Sequence, residues 1–182
     1  MIVALGAPGA GKSTVLGKVI AQAQGWRMIN WGDRMVELAK AKGLVKDRDE
    51  IRRLPAERQA ELQAAVVDSL AKEQGKWILD THCSINTPSG YYPGLPFKVL
   101  GKLKVDRLVY IEAPVPDILR RRKADETRTR DSQGEKELGE HLAFNRALLA
   151  AYSAFTGAPA TLIENADGKL DAAVSKMVAL LG

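Results

Sequence analysis

Residues 1–14 read MIVALGAPGAGKST. The run from Met1 to Leu5 is almost wholly apolar, as expected of a strand buried on both faces of a parallel sheet. From Gly6 the residues become small, and Gly6-Ala7-Pro8-Gly9-Ala10-Gly11-Lys12-Ser13 fits the phosphate-binding P-loop pattern at every fixed position. The glycines let the backbone turn so that successive N–H groups point inward at phosphate oxygens. The helix predicted to begin near Lys12 adds its positive N-terminal end. Lys12 would reach the β/γ-phosphates as a point charge, Ser13 would ligate Mg²⁺, and Thr14 continues the motif into the helix. A plain Gly-rich turn between a strand and a helix is the alternative, and the fixed residues and their context argue against it.

Outward from this stretch, short apolar runs alternate with longer segments of helical spacing. Strands are predicted at Ile2–Leu5, Arg27–Trp31, Trp77–Asp80, Arg107–Glu112 and Thr161–Glu164. Helices are predicted over Lys12–Gln24, Gly32–Lys42, Ala56–Gln74, Pro116–Lys123, Glu137–Phe155 and Gly168–Leu181. Alternation of this kind implies an α/β fold, a mainly parallel sheet covered on both faces. Two stretches resist the pattern. Cys83 to Pro96 holds three prolines and two glycines and reads as loop. Arg120 to Gly134 is highly charged and ends in the breaker-like Asp131-Ser132-Gln133-Gly134.

The apolar stretch Trp77-Ile78-Leu79 ends in Asp80, the place where a P-loop protein sets a carboxylate for Mg²⁺ or its water. Such groups sit at the carboxyl ends of parallel strands, beside the phosphate loop. The other reading of Asp80 is a cap on a turn. His82, two residues on, is either a base or a hydrogen-bonded loop residue. Arginine supplies the third signal. Residues 120–131, RRRKADETRTRD, carry five arginines, Arg146 sits within a predicted helix, and Arg48, Arg52 and Arg53 lie in the earlier stretch DRDEIRRL. Phosphoryl transfer needs charge around the transferring group, and planar guanidinium groups suit that task. Arg121 and Lys123 read as solvated cations at a helix end, whereas Arg128 and Arg130 lie in a polar segment suited to a mobile lid.

The 182 residues suit one domain, and 46% hydrophobic with 27% charged residues is an ordinary globular balance. The net charge of +5 is compatible with nucleic acid, a membrane surface or small anions. No apolar stretch is long enough to span a bilayer, and no signal peptide is recognisable. Aromatic residues make up only 5%, and no aromatic-rich strand suited to base stacking is present, which argues against RNA. The lone Cys83 cannot form an internal disulfide or a multi-cysteine zinc site. A cytoplasmic setting with no nucleic-acid or membrane partner is the simplest expectation.

Taken together, GAPGAGKST, NWGDRMVELA, DRDEIRRL, ILDTH, TPSGYYPGLP, DETRTRD and HLAFNRA resemble the archaeal-type adenylate kinases, in one register over nearly the whole chain. The resemblance implies a P-loop nucleoside monophosphate kinase fold. That is a three-layer α/β/α sandwich with a five-stranded parallel core sheet, a short lid and a helical monophosphate-binding segment. It implies one domain over 1–182, with the monophosphate segment at 30–54 and the lid at about 123–136. It implies the Mg²⁺-dependent reaction ATP + AMP ⇌ 2 ADP and a homotrimer. Carried over by position, Gly6 to Thr14 would hold ATP, and Arg48 and Arg52 the AMP phosphate. Asp80 would organise Mg²⁺, and Arg128, Arg130 and Arg146 would meet the transferring phosphates. Asn165 and Ala166 would lie against the adenine of ATP, largely through the backbone.

The chain also departs from some relatives. Bacterial and eukaryotic adenylate kinases carry an arginine shortly after an Asp-Gly-Phe/Tyr-Pro stretch, where this chain reads THCSIN without one. The four cysteines of zinc-holding bacterial lids are also missing, so no zinc is expected. On the residues alone, two other functions remain open: a kinase for another small hydroxyl or phosphate acceptor, and a P-loop ATPase acting as a switch on a protein or RNA.

Overall fold

The structure is a computed structural model and describes residues 1–47, 50–51, 54–87, 89–124 and 134–182. Its centre is a five-stranded parallel sheet in the order β2-β3-β1-β6-β7. The strands are β1 (Ile2–Gly6), β2 (Trp26–Asn30), β3 (Lys76–Asp80), β6 (Arg107–Glu112) and β7 (Ala160–Glu164). Between β3 and β6 lies an antiparallel hairpin of β4 (Ser84–Thr87) and β5 (Gly90–Pro93). The helices are α1 (Lys12–Gln22), α2 (Trp31–Ala41), α3 (Ala56–Leu70), the single turn α4 (Phe97–Leu100), α5 (Val115–Ala124), α6 (Glu135–Thr156) and α7 (Leu170–Ala179).

Position in the sheet explains strand composition. Every residue of the central β1 is buried, whereas the edge strands β2 and β7 expose part of their length. The period-2 alternation of β1 divides the core into two layers. Val3 and Leu5 join Trp77, Leu79 and Tyr110 under α2, α3 and α6. Ile2 and Ala4 join Ile78, Val109 and Ile163 under α1 and α7. The sheet is thus sandwiched between helices, as the alternation implies. A third small cluster of Ala10, Ala113, Ile118 and Leu138 fastens the loop after β1 to α5 and α6.

The five expected core strands and six expected helices are present. The stretch from Cys83 to Pro96, expected to be loop, instead contains the β4–β5 hairpin. Pro93 is tolerated there because it ends β5 on a two-stranded sheet, where a missing N–H breaks no central ladder. α6 begins at Glu135, two residues earlier than expected. There Glu137 Oε2 accepts from the Gly134 N–H at 3.1 Å and satisfies one of the donors at the helix start. Of the lid expected at about 123–136, residues 125–133 lie outside the described residues, as do Arg48 and Arg52 of the 30–54 segment.

Candidate active site

β1 and β6 lie side by side at the centre of the sheet, and their carboxyl ends open beneath the phosphate loop. In such a parallel sheet, ligands bind outside the carboxyl ends, where the strand order reverses direction. The three glycines of the loop from Gly6 to Gly11 lie so close to their neighbours that a side chain at any of them would clash. A Cβ on Gly11 would fall 2.3 Å from Asn165 Nδ2, and Gly11 has φ 79°, a left-handed conformation that glycine adopts freely. Gly9 has φ 92° and packs against Ile118. α1 then starts with no side-chain cap, which leaves its first N–H groups and its positive dipole end for an anion. Ser13 and Thr14 are exposed at this end, Pro8 is half-buried, and Ala7 and Ala10 are buried.

Lys12 does not extend into solvent. Its Nζ pairs directly with Asp80 Oδ1, and both side chains are buried. Burial pushes the Lys12 ammonium down to about 8, even with this carboxylate beside it. Sheet register makes the pair possible: Asp80 stands beside Ala4 on β1 and beside Asn30 on β2. The second Asp80 oxygen accepts from Asn30 Nδ2 at 2.8 Å. His82, two residues beyond Asp80, is exposed.

The loop is braced from behind by α5 and by the turn after β7. Arg122 donates through Nε and Nη2 to Pro8 O at 3.0 and 2.8 Å. Arg121 donates to Ala10 O at 3.3 Å, to Asn165 O at 2.9 Å and to Asp167 Oδ1 at 2.9 Å. Asn165 Nδ2 donates to Ala10 O at 2.9 Å. Arg120 also pairs with Asp167, and these two guanidinium groups hold the Asp167 carboxyl below its usual range. The expectation that Arg121 is a solvated helix-end cation is therefore corrected. It lies one turn beyond the buried Ile118, on the face that meets the loop. Lys123 is exposed as expected. The Asn165 side chain faces the phosphate loop, and Ala166 O accepts from the Lys169 N–H at 3.0 Å, closing the turn.

Arg146 makes a two-pronged pair with Glu112 at the end of β6, at 2.9 and 2.7 Å. The pair borders a groove of about 480 Å³ between the β6 end, α5 and α6. Sequence reasoning singled out neither Asn30 nor the buried polar group below Arg146. In that group Ser84 Oγ bonds His141 Nε2 at 2.8 Å and donates to Asn145 Oδ1 at 2.6 Å. His141 is stacked on Tyr91, and burial lowers its basicity. The helical spacing of His141 and Asn145 with Leu138, Leu149 and Tyr152 was the available signal, since polar residues on a buried stripe need partners.

The donors at hand suit a hard cation that keeps most of its water. They are the exposed Ser13 hydroxyl and the Asp80 carboxylate, both oxygen ligands. Among the described residues no three His, Cys, Asp or Glu side chains converge as a metal cage, and no helix is long and apolar enough to cross a membrane.

A family model described as an AAA domain matches residues 5–139. The adenylate kinase of Methanopyrus kandleri is 46% identical over 182 residues, covering 98% of this chain and 95% of its own. That of Methanothermobacter thermautotrophicus is 40% identical over 183 residues, covering 100% of this chain and 98% of its own. Among solved structures, shikimate kinase from Acinetobacter baumannii in complex with shikimate superposes with a TM-score of 0.62 at 21% identity, covering 98% of this chain and 90% of that one. Shikimate kinase from Bacteroides thetaiotaomicron gives 0.61 at 13% identity, covering 99% and 97%. At such identities the likeness speaks for the fold alone.

Proposed function

The chain belongs to the adenylate kinases, and from that membership we propose that the site described above carries out ATP + AMP ⇌ 2 ADP with Mg²⁺. The observation that carries this reading is the buried pairing of Lys12, at the start of α1, with Asp80, at the carboxyl end of the strand beside β1. It occurs in a chain related end to end to adenylate kinases.

In this reading Gly6, Ala7, Pro8, Gly9, Ala10, Gly11, Lys12, Ser13 and Thr14 hold the ATP phosphates. The uncapped start of α1 supplies N–H groups aimed at them. Arriving phosphate draws the Lys12 ammonium from Asp80, which frees Oδ1 as an oxygen ligand. Ser13 and Asp80 would hold Mg²⁺, which when bound neutralises charge between the β- and γ-phosphates. Arg146 is held by Glu112 and must release it to reach a transferring phosphate. Arg128 and Arg130, with the lid at about 123–136, would add charge around the transferring group. Arg48 and Arg52 in the 30–54 segment would grip the AMP phosphate. Asn165 and Ala166 would border the ATP adenine. The proposal places all of this in a single domain, 1–182, working as a cytoplasmic homotrimer. The family resemblance supports the trimer, and the lone, buried Cys83 suits a reducing compartment.

The test is an acceptor panel of AMP, CMP, GMP, UMP and dAMP at constant Mg·ATP. Adenylate kinase activity appears as ADP formed in step with AMP consumed, strongest with AMP. ATP hydrolysis indifferent to every acceptor would refute it.

A further inference from the structure

Asn30 ends β2 and is also the N-cap of α2, and its side chain has a fixed partner on each side. Oδ1 accepts from the Asp33 N–H at 3.0 Å. Nδ2 donates to Asp80 Oδ2 at 2.8 Å. The amide cannot be reversed without setting two acceptors against each other, so its orientation is determined by its partners. Parallel register explains the reach, because Asn30 stands beside Asp80 across β2 and β3, and their side chains leave the sheet on the same face.

Resting on the adenylate kinase reading, we propose that Asn30 is a positioning residue. It holds Asp80 through Oδ2 while Lys12 exchanges Oδ1 for phosphate, and so links the start of the monophosphate segment to the ATP–metal site. Asp80 is only 2% exposed and shares Lys12 as its counter-ion. When nucleotide takes the ammonium away, the buried carboxylate is left with Asn30 as its remaining described partner, and burying an ion without partners is strongly unfavourable. The amide keeps the carboxylate from rotating and presents Oδ1 in the direction Lys12 has left. The same amide starts α2, so movement of that helix end when a monophosphate binds reaches Asp80 through one side chain. Both tasks need a donor and an acceptor on one short side chain. Asp lacks the donor, and Ser lacks both the amide and the reach.

A plain helix cap is the competing role, and two variants separate them. Asn30→Ser keeps a good N-cap and loses the link to Asp80, whereas Asn30→Ala loses both. The readouts are thermal midpoint, kcat, KM for each nucleotide, and Mg·ATP affinity by calorimetry without AMP. Asn30→Ser should lower the midpoint only by what the lost bond to Asp80 is worth, bind Mg·ATP at least fivefold more weakly and lose at least tenfold in kcat. Asn30→Ala should show the same losses with a midpoint lowered further by the missing cap. Unaltered kcat and Mg·ATP affinity in Asn30→Ser would overturn the proposal and leave a cap alone. Failure of the adenylate kinase reading is a different result: the unaltered chain would then form no ADP from ATP and AMP, while calorimetry would still report the role of Asn30.

Discussion

Replacing Arg121 with alanine removes one guanidinium that ties α5 to two loops. Its three links differ in worth. The pair with Asp167, whose side chain is 45% exposed, contributes ~0–1 kcal/mol. Charged hydrogen bonds to carbonyls contribute about 1.5–3 kcal/mol when well formed. The one to Asn165 O, at 2.9 Å, is of that kind, and the one to Ala10 O, at 3.3 Å, falls at the weak end. Ala10 O also keeps the Asn165 amide at 2.9 Å, so it is not stranded. The loss is then on the order of 2 kcal/mol. For a chain of this size that corresponds to about 4–8 °C in thermal midpoint. Because the links fix the phosphate loop against the turn after β7, the KM for ATP should rise severalfold and the KM for AMP should not. Lysine restores the charge but cannot make the forked contacts, so Arg121→Lys should behave like Arg121→Ala. Calorimetry and steady-state kinetics on both variants decide. An unaltered midpoint and ATP KM in Arg121→Ala, or full rescue by lysine, would refute the bracing argument.

Lys12→Ala should lower kcat at least ~100-fold, about 2.7 kcal/mol in barrier, with the fold intact by circular dichroism. With the Lys12 ammonium lowered to about 8, the folded chain loses this proton above about pH 8 while the unfolded chain holds it up to the ordinary 10.5. Its contribution to stability therefore grows as pH rises from about 8 to 10.5, and denaturant titrations across that window read it. ATP favours the charged lysine, so ATP affinity should fall above about pH 8, with proton uptake on binding visible by calorimetry in two buffers. Arg52→Ala should raise the AMP KM at least ~10-fold, and Arg128→Ala should lower kcat by at least ~10-fold with little change in either KM; steady-state kinetics separate them. A zinc-selective chelator should leave stability unchanged, and removing Mg²⁺ should abolish turnover, as melting curves and ADP formation will show.

The sheet was legible because its strands carry their own signal. Ile2–Leu5 and Leu108–Ile111 are continuous apolar runs, each followed directly by a residue of the site, Gly6 or Glu112. The phosphate loop was legible because glycine, lysine and serine fall at fixed spacing. The hairpin was not. Its strands have four residues each, and their support comes from elsewhere: Tyr91 stacks on His141 and meets Phe144 at a tilt, and Ser84 bonds to His141. Contacts that distant in sequence leave no local pattern. Arg121 was misread because a charged cluster hides its own periodicity, although spacing from Ile118 places it on the inner face. The link from Asn30 to Asp80 depends on strand register, which no single strand announces.

Tyr152 has a consequence for the hairpin it supports. Its hydroxyl accepts from the Leu95 N–H at 3.2 Å and donates to Cys83 O at 3.3 Å, while Gly94 N donates to Cys83 O at 2.8 Å. One phenol on α6 thus fastens the segment where it leaves the core and where it returns. Extra residues at the exposed tip around Ser89 and Gly90 would extend a loop whose ends are already fixed, and doubling such a loop costs only about 0.6 kcal/mol. Chain length can drift at the tip through insertion and deletion, while the two feet tolerate no such drift. The tip is accordingly the place in this enzyme where a grafted peptide or a spectroscopic label would least disturb the sheet below.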